Sequence, residues 1–142
     1  MATFAASRDE EAREIVAIVD DDASVRRSLD RLIRSFGYHT QVFGSADEFV
    51  ASTAPDRAAC LLLDVRMPGT DGLTLQHRLM ERGIRIPVVF ISALANGEEE
   101  RRARAAGAID FLRKPVDQAT LRRALDKAFR AARSARGEPD VE

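Results

Sequence analysis

Apolar residues in this chain concentrate in short β-prone runs, some of them unbroken, separated by longer mixed stretches. The runs lie at 15–19 (IVAIV), 40–43, 61–63 (LLL), 88–91 (VVFI) and 109–112. Unbroken runs of this length, rich in branched side chains, suit strands buried on both faces. The intervening stretches follow a helical period. Over 23–36, Val25, Leu29, Leu32, Ile33 and Phe36 share one face, and Gly37 supplies a stop. A second helix opens on SADE, where Ser45 and Glu48 have capping-box spacing. A third follows Asp71, carries Leu73, Leu75 and Leu79, and stops at Gly83. A fourth covers EEERRARAA, with acids first and arginines later, as the helix dipole prefers, but with only alanine to bury. A fifth spans 118–133, with Leu121, Leu125, Ala128 and Phe129 inward.

Five strands alternating with five helices predict an α/β fold: a doubly wound parallel sheet with helices on both faces. Residues 15–133 form this domain. The polar segment 1–14 is expected to be a flexible N-terminus. The segment 134–142 (SARGEPDVE) is expected to be a flexible tail or the start of a linker.

Composition narrows the function classes. Of 142 residues, 45% are apolar, enough for a real core. A formal net charge of −1 gives no global field toward nucleic acid or an acidic membrane. One cysteine, Cys60, permits no internal disulfide, and two separated histidines, His39 and His77, do not make a zinc site. No run approaches the roughly 18 apolar residues of a membrane span. No glycine-rich loop follows the first strand, which argues against a dinucleotide site, and no cofactor-binding residues are expected beyond those for a metal.

In open parallel sheets, chemistry gathers beyond the carboxyl ends of the strands. Strand one ends in Asp20, Asp21 and Asp22, strand three in Asp64, strand four in Ser92, and strand five in Lys114-Pro115. Any one of these alone reads as a solvated strand end, and Asp22 can serve simply as a helix cap. Together they suit one chemistry. If strands one and three are neighbours, Asp20, Asp21 and Asp64 form a carboxylate pocket suited to a hard cation such as Mg2+. A hydroxyl and an ammonium beside it suit a phosphoryl group, and one carboxylate can act as the nucleophile.

The blocks VDDD (19–22), LLLDVRMPGTDG (61–72), VVFISA (88–93) and GAIDFLRKP (107–115) resemble, in order and spacing, the receiver domain of bacterial response regulators, over about 115 residues. The arginine in DVRMPG is most similar to the FixJ-like subgroup. The resemblance implies a flavodoxin-like fold with strand order 2-1-3-4-5. It implies Asp64 as phosphoacceptor, and Asp20, Asp21, Asp64 and the backbone carbonyl of Arg66 around Mg2+, or Mn2+ in its place. Ser92 would be the switch hydroxyl, Lys114 the phosphate-contacting lysine, Phe111 a rotating aromatic, and Pro115 would follow a cis bond.

The function so implied is a cytoplasmic two-component signalling switch, phosphorylated by a sensor histidine kinase. Its only catalysis is the making and breaking of its own aspartyl phosphate. A homodimer through the fourth helix, fifth strand and fifth helix would form on phosphorylation. No membrane or direct nucleic-acid contact is expected of this segment. Two alternatives stay beside it: the regulatory half of a longer DNA-binding transcription factor, and a phosphate-independent interaction module. A Mg2+-dependent phosphohydrolase fits less well, because Arg66 stands where such enzymes often carry a second aspartate.

Overall fold

A computed structural model of the protein describes residues 15–137. The chain runs β1 (Ile15–Val19), α1 (Ala23–Ser35), β2 (His39–Phe43), α2 (Ala46–Ala51), a 3-10 turn (Ala54–Asp56), β3 (Ala58–Leu63), α3 (Gly72–Glu81), β4 (Val88–Ser92), α4 (Gly97–Ala105), β5 (Asp110–Arg113) and α5 (Gln118–Ala135). The strands form one sheet, all parallel, in the order β2-β1-β3-β4-β5. This is the doubly wound arrangement and strand order expected.

Two cores follow from the two-residue period of the strands. Ala17, Val19, Leu61, Leu63 and Phe90 point to one face, where α2, α3 and α4 cover them with Phe49, Leu75 and Ala103. Val16, Ile18, Leu62, Val89 and Ile91 point to the other, under α1 and α5, which contribute Ile33, Leu121, Leu125 and Phe129. Every residue of β1 and β4 is buried, as their unbroken apolar runs require. Cys60 is fully buried, and burial pushes its thiol up to about 12, so it is a small core residue.

Boundaries differ from expectation where packing outweighs local pattern. Ser45 does cap α2 by accepting from the Glu48 N–H. The two-way capping box, however, forms at α4, between Asn96 and Glu99. The fifth strand starts at Asp110 rather than at residue 109, because Ile109 belongs to the approach, its N–H donating to Val88 O at 2.8 Å. The fifth helix continues two residues past 133. Ser134 and Ala135, expected in the tail, are helical, since the effective stop is Gly137 in the left-handed region at φ 78°. Residues 138–142 of the expected tail, and the expected flexible N-terminus at 1–14, lie outside the described residues. No helix among the described residues is long and apolar enough to cross a membrane.

Candidate functional site

The three aspartates that follow β1 have three different fates. Asp20 continues the strand, its N–H donating to Phe43 O at 3.2 Å, and its side chain turns inward. It is 2% exposed. One carboxylate oxygen accepts the Asp22 N–H at 2.9 Å and the other accepts Lys114 Nζ at 2.8 Å. Asp21 is exposed at the rim. Asp22 turns away and caps α1, accepting from the N–H groups of Ser24 and Val25.

Adjacent β3 delivers Asp64 to the same edge, because β1 and β3 are neighbours in register from Val16↔Cys60 to Val19↔Leu63. Asp64 is 8% exposed, and its N–H donates to Val19 O at 3.1 Å. Carboxylate oxygens of Asp20, Asp21 and Asp64 lie within 4.8 Å of one another. Of these, two carboxylates are buried. The charge that answers them here comes from β5: Lys114 Nζ stands 2.8 Å from Asp20 and 3.2 Å from Asp64. The Lys114 N–H donates to Ser92 O at 3.1 Å, which fixes where the side chain departs. The Lys114-Pro115 peptide bond is cis.

Electrostatics follow from this geometry. Burial pushes the Asp64 carboxyl above its usual range; Lys114 works against that rise and Asp20 adds to it. Burial would lower the Lys114 ammonium, but its bonds and attraction to Asp20 and Asp64 outweigh this and leave it raised. The lysine therefore stays charged across the neutral range.

Ser92 ends β4, next to β3 in the sheet, and is 1% exposed. Its Oγ has no hydrogen-bond partner among the described residues. A buried hydroxyl without a partner is costly, and it stands at the edge that gathers the carboxylates and Lys114. Phe111, on the neighbouring β5, is buried against Phe90, with ring centroids 5.8 Å apart. Arg66 lies in the loop after β3. Its N–H donates to Asp64 Oδ1 at 3.3 Å, while its guanidinium reaches Glu99 on α4.

Three further residues shape the site without carrying a legible local signal. Arg26 on α1 donates from Nη1 to the Asp20 backbone carbonyl at 2.7 Å. Gly72, the first residue of α3, lies against the backbone of Asp64. A Cβ built there would overlap the Asp64 carbonyl oxygen and come within 3.1 Å of the Phe90 ring. Gln76 on α3 is buried and donates from Nε2 to Ala103 O of α4 at 3.1 Å.

Comparison with known proteins agrees with this geometry. Residues 16–126 match the model of the response regulator receiver domain. Nodulation protein W of Bradyrhizobium diazoefficiens is 48% identical over 103 residues, which is 72% of this chain and 45% of that protein. Transcriptional regulatory protein FixJ of the same organism is 32% identical over 120 residues, 84% of this chain and 58% of that protein. A structure of the response regulator StyR superposes with a TM-score of 0.82 at 38% identity, covering 89% of this chain and 64% of that one. The chain spans about half the length of the curated relatives it matches. The chain belongs to the response regulator receiver domain family, with FixJ among its relatives, and is a module of two-component signalling.

Proposed function

We propose that the domain is a switch thrown by phosphorylation of Asp64, with a histidine kinase as the natural donor. The observation that carries this reading is the convergence on Asp64: a lysine shared with Asp20 and a buried, partnerless serine hydroxyl stand at the same sheet edge. A carboxylate nucleophile needs its charge available and needs the incoming phosphoryl charge answered. Lys114 is poised for the second task, since moving from Asp64 Oδ2 to a phosphoryl oxygen exchanges one anionic partner for another. Ser92 Oγ gains in the product the acceptor it lacks in the unmodified protein.

The residues present fit a divalent cation. Asp20, Asp21 and Asp64 offer hard oxygen donors within a 4.8 Å cluster. With the Arg66 backbone carbonyl, they would hold Mg2+ or Mn2+, which when bound would neutralise charge on the transferring group. In the transfer itself, an Asp64 oxygen forms the new bond to phosphorus and the donor's histidine nitrogen departs. Ser92 then hydrogen-bonds the new dianion and draws the start of the 93–96 loop with it. Phe111, already buried, packs behind that movement and needs no long swing from solvent.

The proposed setting is the cytoplasm, with a longer protein as the second reading of the whole. The matched segment covers only 45% and 58% of two of the relatives, one of them a transcriptional regulatory protein. Self-association on phosphorylation would use the face of α4, β5 and α5. In the unmodified domain, Asp110 there is paired with Arg104 and Lys127.

The test is the intact mass of the protein after incubation with acetyl phosphate and Mg2+, for wild type and Asp64→Ala. One added phosphoryl group on the wild type alone is expected. An equal gain on Asp64→Ala would move the acceptor elsewhere. No gain on folded wild type, with acetyl phosphate or with a kinase, would leave the interaction module as the better reading.

A further inference from the structure

Helix α4 is held very differently at its two ends. Its only fully buried residue is Ala103, so little apolar area fixes it to the sheet. At its C-terminal end a buried polar clasp takes over. Ala103 O accepts the Gln76 amide at 3.1 Å and the Ala108 N–H at 3.0 Å, the latter closing the turn that Gly107 makes at φ 101°.

The N-terminal end is held by charge. Its first turn carries Glu98, Glu99 and Glu100. Two of these are gripped by arginines from other elements, each close in sequence to a residue of the phosphoryl site. Arg66, two residues after Asp64, places Nη2 2.9 Å from Glu99 Oε1. Arg113, beside Lys114, places Nη2 3.1 Å from Glu100 Oε1 and Nη1 2.8 Å from Ala95 O. The same Glu99 oxygen also accepts the Asn96 N–H at 3.0 Å, completing the capping box. Arg66 therefore grips the very atom that caps the helix. Its side chain is half exposed, so the grip is weaker than the buried Gln76 clasp.

We propose that the Arg66–Glu99 pair is a latch holding the first turn of α4 against the phosphoacceptor loop, that an anionic phosphoryl group on Asp64 opens it by competing for Arg66, and that Gln76 is the pivot. This rests on the reading of Asp64 as phosphoacceptor. Arg66 is already tied to Asp64 through its N–H. A new dianion two residues away offers its guanidinium a stronger partner than one carboxylate. Released from Arg66, the first turn can lift while the Gln76–Ala103 bond keeps the far end seated. The energetics must be reciprocal: if the phosphoryl group opens the latch, an opened latch favours the phosphoryl group by the same factor.

Glu99→Gln tests this, because glutamine retains the capping-box hydrogen bond while removing the charge. The first readout is amide hydrogen exchange of the unmodified protein, which needs no phosphorylation. Exchange at residues 99–102 should rise about two- to fivefold, the range an exposed ion pair supports. Residues 106–108 should stay as in wild type. Arg66→Gln should give the same pattern. The second readout is phosphorylation by limiting acetyl phosphate with Mg2+, where Glu99→Gln should accumulate about two- to fivefold more phosphoprotein. Unchanged exchange at 99–102 in both variants would overturn the latch. Equal loosening of 106–108 would overturn the pivot. Normal phosphorylation of wild type with no gain in Glu99→Gln would overturn the coupling. If wild type itself took no phosphoryl group, the reading of Asp64 would fall while the exchange data still judged the latch.

Discussion

At the scale of single residues, the site depends as much on what a side chain lacks as on what it offers. Gly72 shows this. It opens α3, its N–H donates to Val65 O at 2.9 Å, and the helix start lies directly on the Asp64 carbonyl. The obstacle to a side chain is backbone, which cannot rotate away. Gly72→Ala should therefore force α3 away from β3 or displace Asp64, costing about 1–3 kcal/mol, the usual range for overpacking. Urea unfolding measures the loss. Phosphorylation by acetyl phosphate should fall further than stability alone explains, because the displaced residue is the proposed acceptor. A variant as stable and as readily phosphorylated as wild type would show that α3 has slack at this end. Nothing in the sequence distinguishes Gly72 from a turn glycine after PGTD, because the clash exists only once α3 and β3 are side by side. The roles of Arg26 and Gln76 are hidden for the same reason: their partners are backbone carbonyls at Asp20 and Ala103, contributed by other elements.

At the scale of elements, legibility tracks the source of each element's stability. Strands β1, β3 and β4 are readable because burial on both faces leaves an unbroken apolar run. Edge strand β2 has one buried residue, Phe43, and its start at His39 has no such mark. The capping box at Asn96 is hidden because Asn-Gly reads equally well as a turn. Helix α5 is fastened in a way that can be titrated. Tyr38, between α1 and β2, stacks on Phe129 with centroids 4.8 Å apart and donates from its hydroxyl to Asp126 at 3.0 Å. Burial, then the Asp126 carboxylate as bond partner and as charge, push its phenol up to about 12. It is the only tyrosine, and there is no tryptophan, so near-ultraviolet absorbance follows this one group. The native protein should titrate with a midpoint near 12, against about 10 when unfolded. Because the folded value is the higher one, the contribution to stability is complete below about pH 10 and is lost as pH rises toward 12. Tyr38→Phe should abolish the titration and flatten that alkaline fall. A native midpoint at the unfolded value would detach Tyr38 from α5.

At the scale of the whole molecule, two complete cores support an edge that is electrostatically unfinished. Asp20 and Asp64 are buried, Asp21 stands within reach of both, and Lys114 is the cation paired with the two buried acids. The sequence marks this cluster of acids clearly, but not that a lysine fifty residues beyond Asp64 already pairs with two of them. One cation shared between two buried carboxylates, with a third nearby, leaves net negative charge at the edge. A divalent cation bound by the folded chain and not by the unfolded one must then raise stability by mass action. At about ten times its dissociation constant the gain is about 1.4 kcal/mol, or a rise of about 2–6 °C in melting temperature for a domain of this size. Thermal unfolding with and without Mg2+, at ionic strength matched with sodium chloride, separates binding from screening. Asp21→Asn sharpens the test. Asp21 is exposed, whereas Asp20 also holds the Asp22 N–H and Lys114. Removing the Asp21 charge should therefore relieve repulsion with little loss of packing. Its melting temperature without metal should be slightly above that of wild type, and its rise on adding Mg2+ clearly smaller. A wild type indifferent to millimolar Mg2+ would mean that Lys114 alone satisfies the pocket, and phosphoryl chemistry at Asp64 would then have to proceed without the metal.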